Sequence, residues 1–317
     1  MTCHICYLDI PTEQLEVHIN ICFKQQEEEL NKITNKLINE ESKKITPQSI
    51  RQELLKKSEK HLHDKLDKFT ELQEKALTYV EKKSKIFCKN TTLDVQNRFT
   101  KLGYNESDLL GVIDYLKNNV DITININLDK ILTFILQDDK YKNLFETNTS
   151  GGNKVHSIRA VWEDKLFNNI YKDATSTERV KYGALNVTNS KNGISCCRGY
   201  GDSFFILKKD VRKRTSFVIG DSSKQDVHML NFNNCSFLFN LLDESILKEM
   251  INIANKNITN SNLLYGEYIE CQIHGDLRFG SDIELLVVNN RHKSNSSMMN
   301  QINEFSQKYN CPCVFSN

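Results

Sequence analysis

The stretch from residue 264 to residue 275 alternates polar and apolar side chains, as a half-buried β-strand does. One face would carry polar groups: Tyr268, Glu270, Gln272 and His274. The other face would carry core residues: Ile269, Cys271 and Ile273. Burying a carboxylate, an amide and an imidazole costs free energy unless they bind a ligand or one another. The row is therefore either a binding site organised around Glu270 or a polar strand edge whose groups satisfy each other.

The length and charge of the chain set outer bounds on its class. Its 317 residues are enough for two or three units and at least one sizeable core. The net charge of +1 gives no overall attraction to nucleic acid or to membranes. No apolar run approaches the length of a membrane span, and the N-terminus does not have the pattern of a signal peptide. We expect a cytoplasmic or nuclear protein with no membrane partner and no nucleic-acid partner.

A set of cysteine and histidine residues near the N-terminus has the spacing C-x2-C-x11-H-x3-C. Its members are Cys3, Cys6, His18 and Cys22. Two thiolates on a tight turn and a His/Cys pair one helical turn apart can complete a tetrahedral zinc site. Few apolar residues lie between them, so the metal would supply much of the folding free energy. We predict a closed, structural zinc site in a finger spanning residues 1–24, and reduced thiols elsewhere.

This segment resembles the small ubiquitin-binding zinc fingers of the UBZ type in its ligand order and in its hairpin-then-helix layout. The resemblance implies ubiquitin or a ubiquitylated protein as a partner. In the best-known fingers of this type, an Asp two residues after the ligand histidine helps to hold ubiquitin. That position is Asn20 here, a departure that bears on ubiquitin binding and leaves the zinc prediction unchanged.

Three further segments follow the finger. Residues 25–90 are rich in Glu, Lys, Gln and Leu, and their leucines fall at helical spacings. This pattern predicts a helical spacer that either packs on the next domain or forms a coiled coil in a homodimer. Residues 91–140 read as a helical preface, with a helix capped by Asn105 and a short alternating strand, Ile122–Leu128.

Residues 141–317 read as a compact mixed α+β domain dominated by antiparallel strands. The strand candidates are Lys181–Val187, Ser203–Leu207, Thr215–Ile219, Tyr268–Ile273 and Ile283–Val288. A basic run, Lys208–Arg214, is a nuclear signal, a patch for an acidic partner, or a solvated turn between two strands. We predict the turn, because charge clusters commonly face solvent.

From Tyr141 to about Lys293 the chain also carries a series of short motifs. They are Phe145-Glu146-Thr147 with Thr149–Gly152, Arg159 with Trp162-Glu163, Glu178-Arg179, Tyr182–Asn186, Tyr200-Gly201 with Ser203, Arg214-Thr215, Gly220–Ser222, Tyr268–Glu270 with Gln272 and His274-Gly275, and Asp282-Ile283. In this order they resemble a family first catalogued as a domain of unknown function and placed in the ADP-ribosyltransferase superfamily. The resemblance implies a split-β fold that holds NAD in an extended cleft.

Transferases of this superfamily use a glutamate near the nicotinamide ribose, and Glu270 matches that residue. A carboxylate there stabilises the oxocarbenium-like ribosyl cation that forms when nicotinamide leaves. The Glu-x-Glu pair common in the superfamily is absent, since Tyr268 precedes Glu270 and Gln272 follows it. The departure leaves the identity of the modified side chain open.

The resemblance also suggests residues that contact NAD. Arg159 and Arg179 are alternative contacts for its phosphate or ribose, because a guanidinium fork suits either group. Ser203, or Tyr182 with Gly183, would correspond to the middle motif that shapes the nicotinamide pocket. The remaining candidates are Gln272 and His274 on the strand and Thr149 and Ser150 in a polar loop, which is either a ligand cradle or a plain connector.

The function expected from these features is NAD-dependent mono-ADP-ribosylation of a protein, with ubiquitin or a ubiquitylated protein recruited by the finger. Two alternatives stay open. One is a non-catalytic ubiquitin-binding adaptor with a degenerate transferase fold. The other is a hydrolase of NAD or of ADP-ribosylated protein, which uses the same cation chemistry with water as the acceptor.

Overall fold

The computed structural model describes residues 69–149, 152, 154–224, 227–258 and 268–316, together with Pro11, Gln14, His18 and Glu28. The chain divides into two units, Met1–Leu66 and Asp67–Asn317. The predicted zinc ligands Cys3, Cys6 and Cys22, Ser150 and most of the predicted spacer lie outside the described residues, while His18 is helical and partly buried. No helix among the described residues is long and apolar enough to cross a membrane.

The second unit is built from helices and strands in alternation. Its helices are α1 Glu71–Asn90, α2 Thr92–Lys101, α3 Glu106–Asn118, α4 Leu128–Ile135, α5 Leu144–Thr147, α6 His156–Leu166, α7 Leu238–Leu241, α8 Glu244–Ala254, α9 Phe279–Asp282 and α10 Ser296–Tyr309. Its strands are β1 Asp121–Ile126, β2 Lys181–Asn186, β3 Ser203–Leu207, β4 Thr215–Ile219, β5 Leu230–Asn231, β6 Ile269–Ile273, β7 Ile283–Val288 and β8 Cys313–Phe315.

The strands form one eight-stranded sheet in the order β5-β4-β6-β2-β1-β3-β7-β8. Every pairing is antiparallel except β7 with β8. The mixed α+β class with a mostly antiparallel sheet is therefore confirmed. Each strand candidate from residue 181 onward corresponds to an observed strand within about one residue at either end, as expected for clear two-residue alternation.

The short alternating stretch after residue 120 has a larger role than its length suggests. It forms β1, which lies in the middle of the sheet and pairs with both β2 and β3. Its isoleucines are almost fully buried because they face the larger apolar core: Ile122, Ile124 and Ile126. The predicted boundary at residue 141 thus falls inside the compact unit.

Helix α1 lies against the sheet on the side opposite the larger core. Ala76 and Val80 are buried in a smaller apolar core with Leu166 and Val218. The carboxylate of Glu81 accepts hydrogen bonds from the amides of Asn231, Asn233 and Asn234 beside β5. The last part of the predicted spacer therefore packs on the domain that follows it.

The basic run between β3 and β4 forms a 3₁₀ turn, Lys209–Arg214, but it is not wholly solvated. Arg212 and Arg214 are buried. The Nη2 atom of Arg214 lies 2.9 Å from Asp282 Oδ1, and its Nη1 donates to the carbonyls of His274 and Asp276. The prediction of a turn in water was wrong for these two arginines, because each guanidinium finds acceptors that replace its water.

Gly183 on β2 is required by packing between strands. A Cβ atom built there would lie 2.7 Å from the carbonyl oxygen of Thr123 and 3.2 Å from the side chain of Ile124. The carbonyl belongs to the backbone of β1, so it cannot turn away as a flexible side chain could. A side chain at this position would force two central strands apart.

We therefore expect Gly183→Ala to lower the free energy of unfolding by about 1–3 kcal/mol through overpacking. Gly199→Ala is the matched control, because nothing lies within 4 Å of a Cβ built on Gly199. The control should change the stability by less than about 0.5 kcal/mol. Urea denaturation measures both variants, and equal stabilities for the two would contradict the packing role of Gly183.

Candidate functional site

Glu270 lies in the middle of β6, between β4 and β2. Val218 on β4 and Ala184 on β2 stand directly opposite it. The residue is 3% exposed, and Gln272 and His274 are fully buried. The expectation of a half-buried strand was wrong, because the smaller apolar core covers the polar face of β6 as the larger core covers the other face.

Two neighbours hold the Glu270 carboxylate. The Gln272 amide donates to Oε1 of Glu270 at 3.0 Å. The same amide accepts from the Ser216 hydroxyl at 3.0 Å, which fixes its orientation. The Ser222 hydroxyl, in the loop after β4, also hydrogen-bonds to the carboxylate. Gln272 and Glu270 thus satisfy part of each other's hydrogen-bonding capacity, which is one of the two roles expected for this polar row.

The electrostatic environment keeps Glu270 near the balance between its two protonation states. Burial raises the pKa of the carboxyl to about 7, and Asp221 also raises it, while Ser222, Gln272 and Arg159 lower it. At neutral pH a substantial fraction is therefore protonated. A cation placed beside the carboxyl would favour its charged form.

Three tyrosines lie close enough to this carboxyl for its charge to affect their pKa values. The Glu270 charge contributes to raised pKa values of Tyr182, Tyr200 and Tyr268, for which burial is the largest cause. Tyr200 is 41% exposed, so this side of the cluster reaches the protein surface. Aromatic rings near a carboxylate suit a cationic group, and the Tyr182 ring already carries the Arg159 guanidinium.

A second buried carboxylate, Glu163 on α6, lies in the same cluster. It is fully buried, and it accepts from Arg179 Nη1 at 3.0 Å and from the Tyr182 hydroxyl at 3.1 Å. Burial raises the pKa of Glu163 to about 7, against the lowering effects of Arg179, Tyr182 and Arg159. Tyr182 thus links the two carboxylates: its hydroxyl donates to Glu163, and the charge of Glu270 contributes to its raised pKa.

The two candidate arginines have different environments. Arg179 is buried, pairs with Glu163 and lies over the Phe145 ring at 4.6 Å. Arg159 is partly exposed, lies over the Tyr182 ring at 4.4 Å, and its Nε has no hydrogen-bond partner among the described residues. Arg159 is therefore the more accessible of the two side chains, although its Nε is itself buried, whereas Arg179 is held by Glu163.

His274 belongs to a separate part of the structure. Its Nδ1 lies 2.7 Å from the Tyr171 hydroxyl, and its ring packs edge-on against Phe167. Burial, with the nearby charges of Arg214 and Lys181, lowers the pKa of His274 to about 3. The imidazole is therefore neutral at physiological pH, and its observed contacts join β6 to the segment that follows α6.

The other predicted contacts are dispersed. Gly183 pairs with Cys271 and so lies on the face opposite Glu270. Ser203 is three strands from β6, roughly 14 Å at the usual strand spacing. Its hydroxyl accepts a hydrogen bond from the backbone N–H of Asn289 at 3.0 Å. Thr149 is exposed and bonds to the Thr147 hydroxyl. The described residues contain no group of three or more metal-binding side chains, and the predicted zinc set lies mostly outside them.

Sequence reasoning did not select three residues of the cluster: Glu163, Tyr200 and Ser222. Each belongs to a motif quoted above, but the motifs are far apart in the chain. One local signal existed, because Glu163 follows Arg159 by four residues on a helix, a spacing that places both side chains on one face.

The raised pKa of Glu270 predicts a stability effect with a definite sign. The pKa of Glu270 is about 7 in the folded protein, and 4.5 is the ordinary value expected in the unfolded chain. The folded state therefore binds the proton more tightly, and the free energy of unfolding falls as the pH rises from 4.5 to about 7. Glu270→Gln removes this ionisation, and its stability relative to wild type should grow from pH 5 to pH 8 by up to about 3 kcal/mol.

Glu284→Gln provides the control, since Glu284 is an exposed carboxylate on β7 of the same sheet. It should alter the stability by less than about 0.5 kcal/mol at either pH. Chemical denaturation at both pH values makes the comparison. A constant difference between Glu270→Gln and wild type would show that Glu270 ionises normally.

Comparison with known proteins gives one family match. Residues 122–265 correspond to a family described as "Protein of unknown function (DUF3626)". The match begins in β1 and ends just before β6, so it includes Arg159, Glu163, Arg179 and Tyr182. No curated protein matches the chain.

Proposed function

We propose that this protein is an NAD-dependent mono-ADP-ribosyltransferase that modifies a protein, with Glu270 as its catalytic residue. The observation that carries the proposal is the environment of Glu270. A buried carboxylate is held by Gln272 and Ser222, lies within range of three tyrosines, and is affected by the charge of the partly exposed Arg159. The order of motifs that resembles the ADP-ribosyltransferase superfamily supports the same assignment.

The reaction needs a negative charge where Glu270 lies. The bond between the ribose C1′ and the nicotinamide nitrogen breaks, and its electron pair leaves with nicotinamide. The ribosyl group becomes oxocarbenium-like, and a carboxylate beside it stabilises the positive charge. A nucleophilic side chain of the acceptor protein then bonds to C1′ and loses a proton.

The protonation state of Glu270 fits this chemistry. The pKa of about 7 in the free protein leaves the carboxyl poised between its two forms at neutral pH. Nicotinamide in NAD is cationic, so its arrival would favour the carboxylate form. The ring of Tyr200, the most exposed of the three tyrosines, would stabilise the same cation.

Arg159 is the better contact for the phosphate or ribose of NAD. Its guanidinium lies against Tyr182 and contributes to lowering the pKa of both Glu163 and Glu270. Arg179 instead holds Glu163 in place and so supports the position of Tyr182. The roles of the two arginines are thereby separated.

The remaining sequence expectations belong to the same proposal. The sheet would provide the split-β fold that holds NAD, and residues 1–24 would form a UBZ-like finger with structural zinc. That finger would bring ubiquitin or a ubiquitylated protein to the site. Tethering a weak binder raises the local concentration of acceptor. The spacer would allow a homodimer, and the compartment would be cytoplasmic or nuclear.

The direct test incubates the full chain with labelled NAD and ubiquitin. We expect release of nicotinamide and a gain in ubiquitin mass equal to one ADP-ribose. Glu270→Gln should reduce both by at least about a hundredfold, because loss of a positioned electrostatic group costs on the order of 10²–10³ in rate. Glu284→Gln, the exposed carboxylate control, should retain full activity.

Other outcomes separate the alternatives. Nicotinamide release that depends on Glu270 but labels no protein, with ubiquitin or in a cell extract, would support the hydrolase. If the protein neither consumes nor binds NAD, the enzyme assignment is overturned and the ubiquitin-binding adaptor is favoured.

The two arginines give a further prediction. Arg159→Gln should weaken NAD binding by about tenfold or more, the loss expected for one hydrogen bond to a charged group, with little change in stability. Arg179→Gln should lower the free energy of unfolding by about 3–5 kcal/mol, because it leaves Glu163 buried without its cation. Calorimetric titration and denaturation measure the two effects, and equal effects of both variants on both readouts would contradict the division of roles.

A further inference from the structure

A cleft on the outer side of the smaller apolar core shares only Ser222 with the cluster described above. It is open to solvent and lies between α1, α6 and the described residues of the segment from β4 to β5. Its lining is Tyr79, Lys83, Phe87, Lys165, Leu166, Ser222, Lys224, Val227 and Met229. The cleft therefore combines an apolar, partly aromatic floor with charged groups.

Among the described residues that line the cleft, every charged side chain is a lysine. Lys83, Lys165 and Lys224 come from three different segments of the fold, and all three are exposed. None of the described residues that line the cleft is acidic. The whole chain has a net charge of only +1, so the three ammonium groups form a local concentration of positive charge. Such a cleft attracts anions more strongly than the protein as a whole.

The apolar part of the cleft suits a flat ring. Tyr79 and Phe87 lie two turns apart on α1, and the ammonium of Lys83, between them in sequence, is 5.7 Å from the Tyr79 ring centre. The Phe87 ring is fixed by stacking on Phe237 and by an edge contact with His228. A ligand with a planar apolar ring and at least two negative charges would use both kinds of surface.

Ser222 connects this cleft to Glu270. It lines the cleft, is 7% exposed, and hydrogen-bonds to the Glu270 carboxylate. The loop that carries it begins at Gly220, whose amide bonds to the carbonyl of Tyr268 at the start of β6. A ligand in the cleft would therefore lie one side chain away from the buried carboxylate.

We propose that this cleft, the three-lysine cleft, binds a nucleoside diphosphate group, with its phosphates on the lysines and its base on the aromatic floor. Two sources of this group share the chemistry. One is the adenosine diphosphate half of NAD, in which case the inference rests on the proposed function. The other is a free nucleoside diphosphate, which would bind next to Glu270 as a separate ligand.

The test titrates ADP into the full chain by calorimetry. Wild type is compared with Lys83→Ala/Lys165→Ala, which removes two charges from the three-lysine cleft. Lys82→Ala/Lys172→Ala removes two exposed lysines outside the cleft and keeps the same net charge. We expect saturable ADP binding that weakens at least tenfold in the cleft variant and is unchanged in the control. Raising the salt concentration should weaken binding as well.

Competition then identifies the source. Displacement of ADP by NAD would assign the cleft to the dinucleotide, and simultaneous binding of both would assign it to a free nucleoside diphosphate. Absence of ADP binding at millimolar concentration, or equal loss in the cleft and control variants, would overturn the inference. ADP carries no nicotinamide, so its binding is independent of turnover. A protein that binds ADP but never consumes NAD would retain this inference and lose the proposed function.

Discussion

The fold depends on satisfying a row of polar side chains inside a sheet. β6 lies between β4 and β2 with both faces covered, so Glu270, Gln272 and His274 are removed from water. Each must find partners within the protein, because an unpaired buried polar group costs several kcal/mol. Gln272 bonds to Glu270 and Ser216, and Nδ1 of His274 bonds to Tyr171, while Nε2 of His274 has no hydrogen-bond partner among the described residues. The strand is thus tied to its neighbours by its side chains as well as by its backbone.

The same constraint prepares the site for chemistry. Glu270 and Glu163 are both buried, and burial raises the pKa of each to about 7. Neither carboxyl is fully protonated at neutral pH, because Arg179 lowers the pKa of Glu163 and Arg159 lowers the pKa of both. Their partial protonation lowers the cost of burial and leaves Glu270 able to respond to a cation. Perturbed carboxyls of this kind mark functional sites more often than ordinary surface groups do.

The sequence was informative where a pattern is local. Two-residue alternation located the main strands, and Asn105 caps α3 as its side chain predicts. Strand order was not predictable, because pairing depends on contacts between distant segments. For that reason the sequence predicts β1 only as a short strand in a helical preface, whereas the fold places it in the middle of the sheet. Burial was misjudged for the same reason: α1 and α6 cover the polar face of β6, and the acceptors of Arg214 come from β6 onward.

The candidate site shows the same division. The alternation on β6 identified Glu270 and Gln272 as neighbours, since both belong to one strand. Glu163 and Ser222 come from a helix and a loop that only the folded sheet brings to Tyr182 and Glu270. Ser203 was assigned by motif order alone, and its position across the sheet places it with β7 instead. The order of motifs along the chain indicates a family, but only the folded structure gives the distances between the residues of those motifs.

The central claim is that Glu270 is a buried, poised carboxyl that faces the cation of NAD. The most direct measurement is the carboxyl chemical shift of Glu270, followed by nuclear magnetic resonance across pH in the free protein and with NAD bound. The account predicts a pKa of about 7 in the free protein and a clearly lower value with NAD. A pKa near the ordinary 4.5, unchanged by NAD, would contradict it.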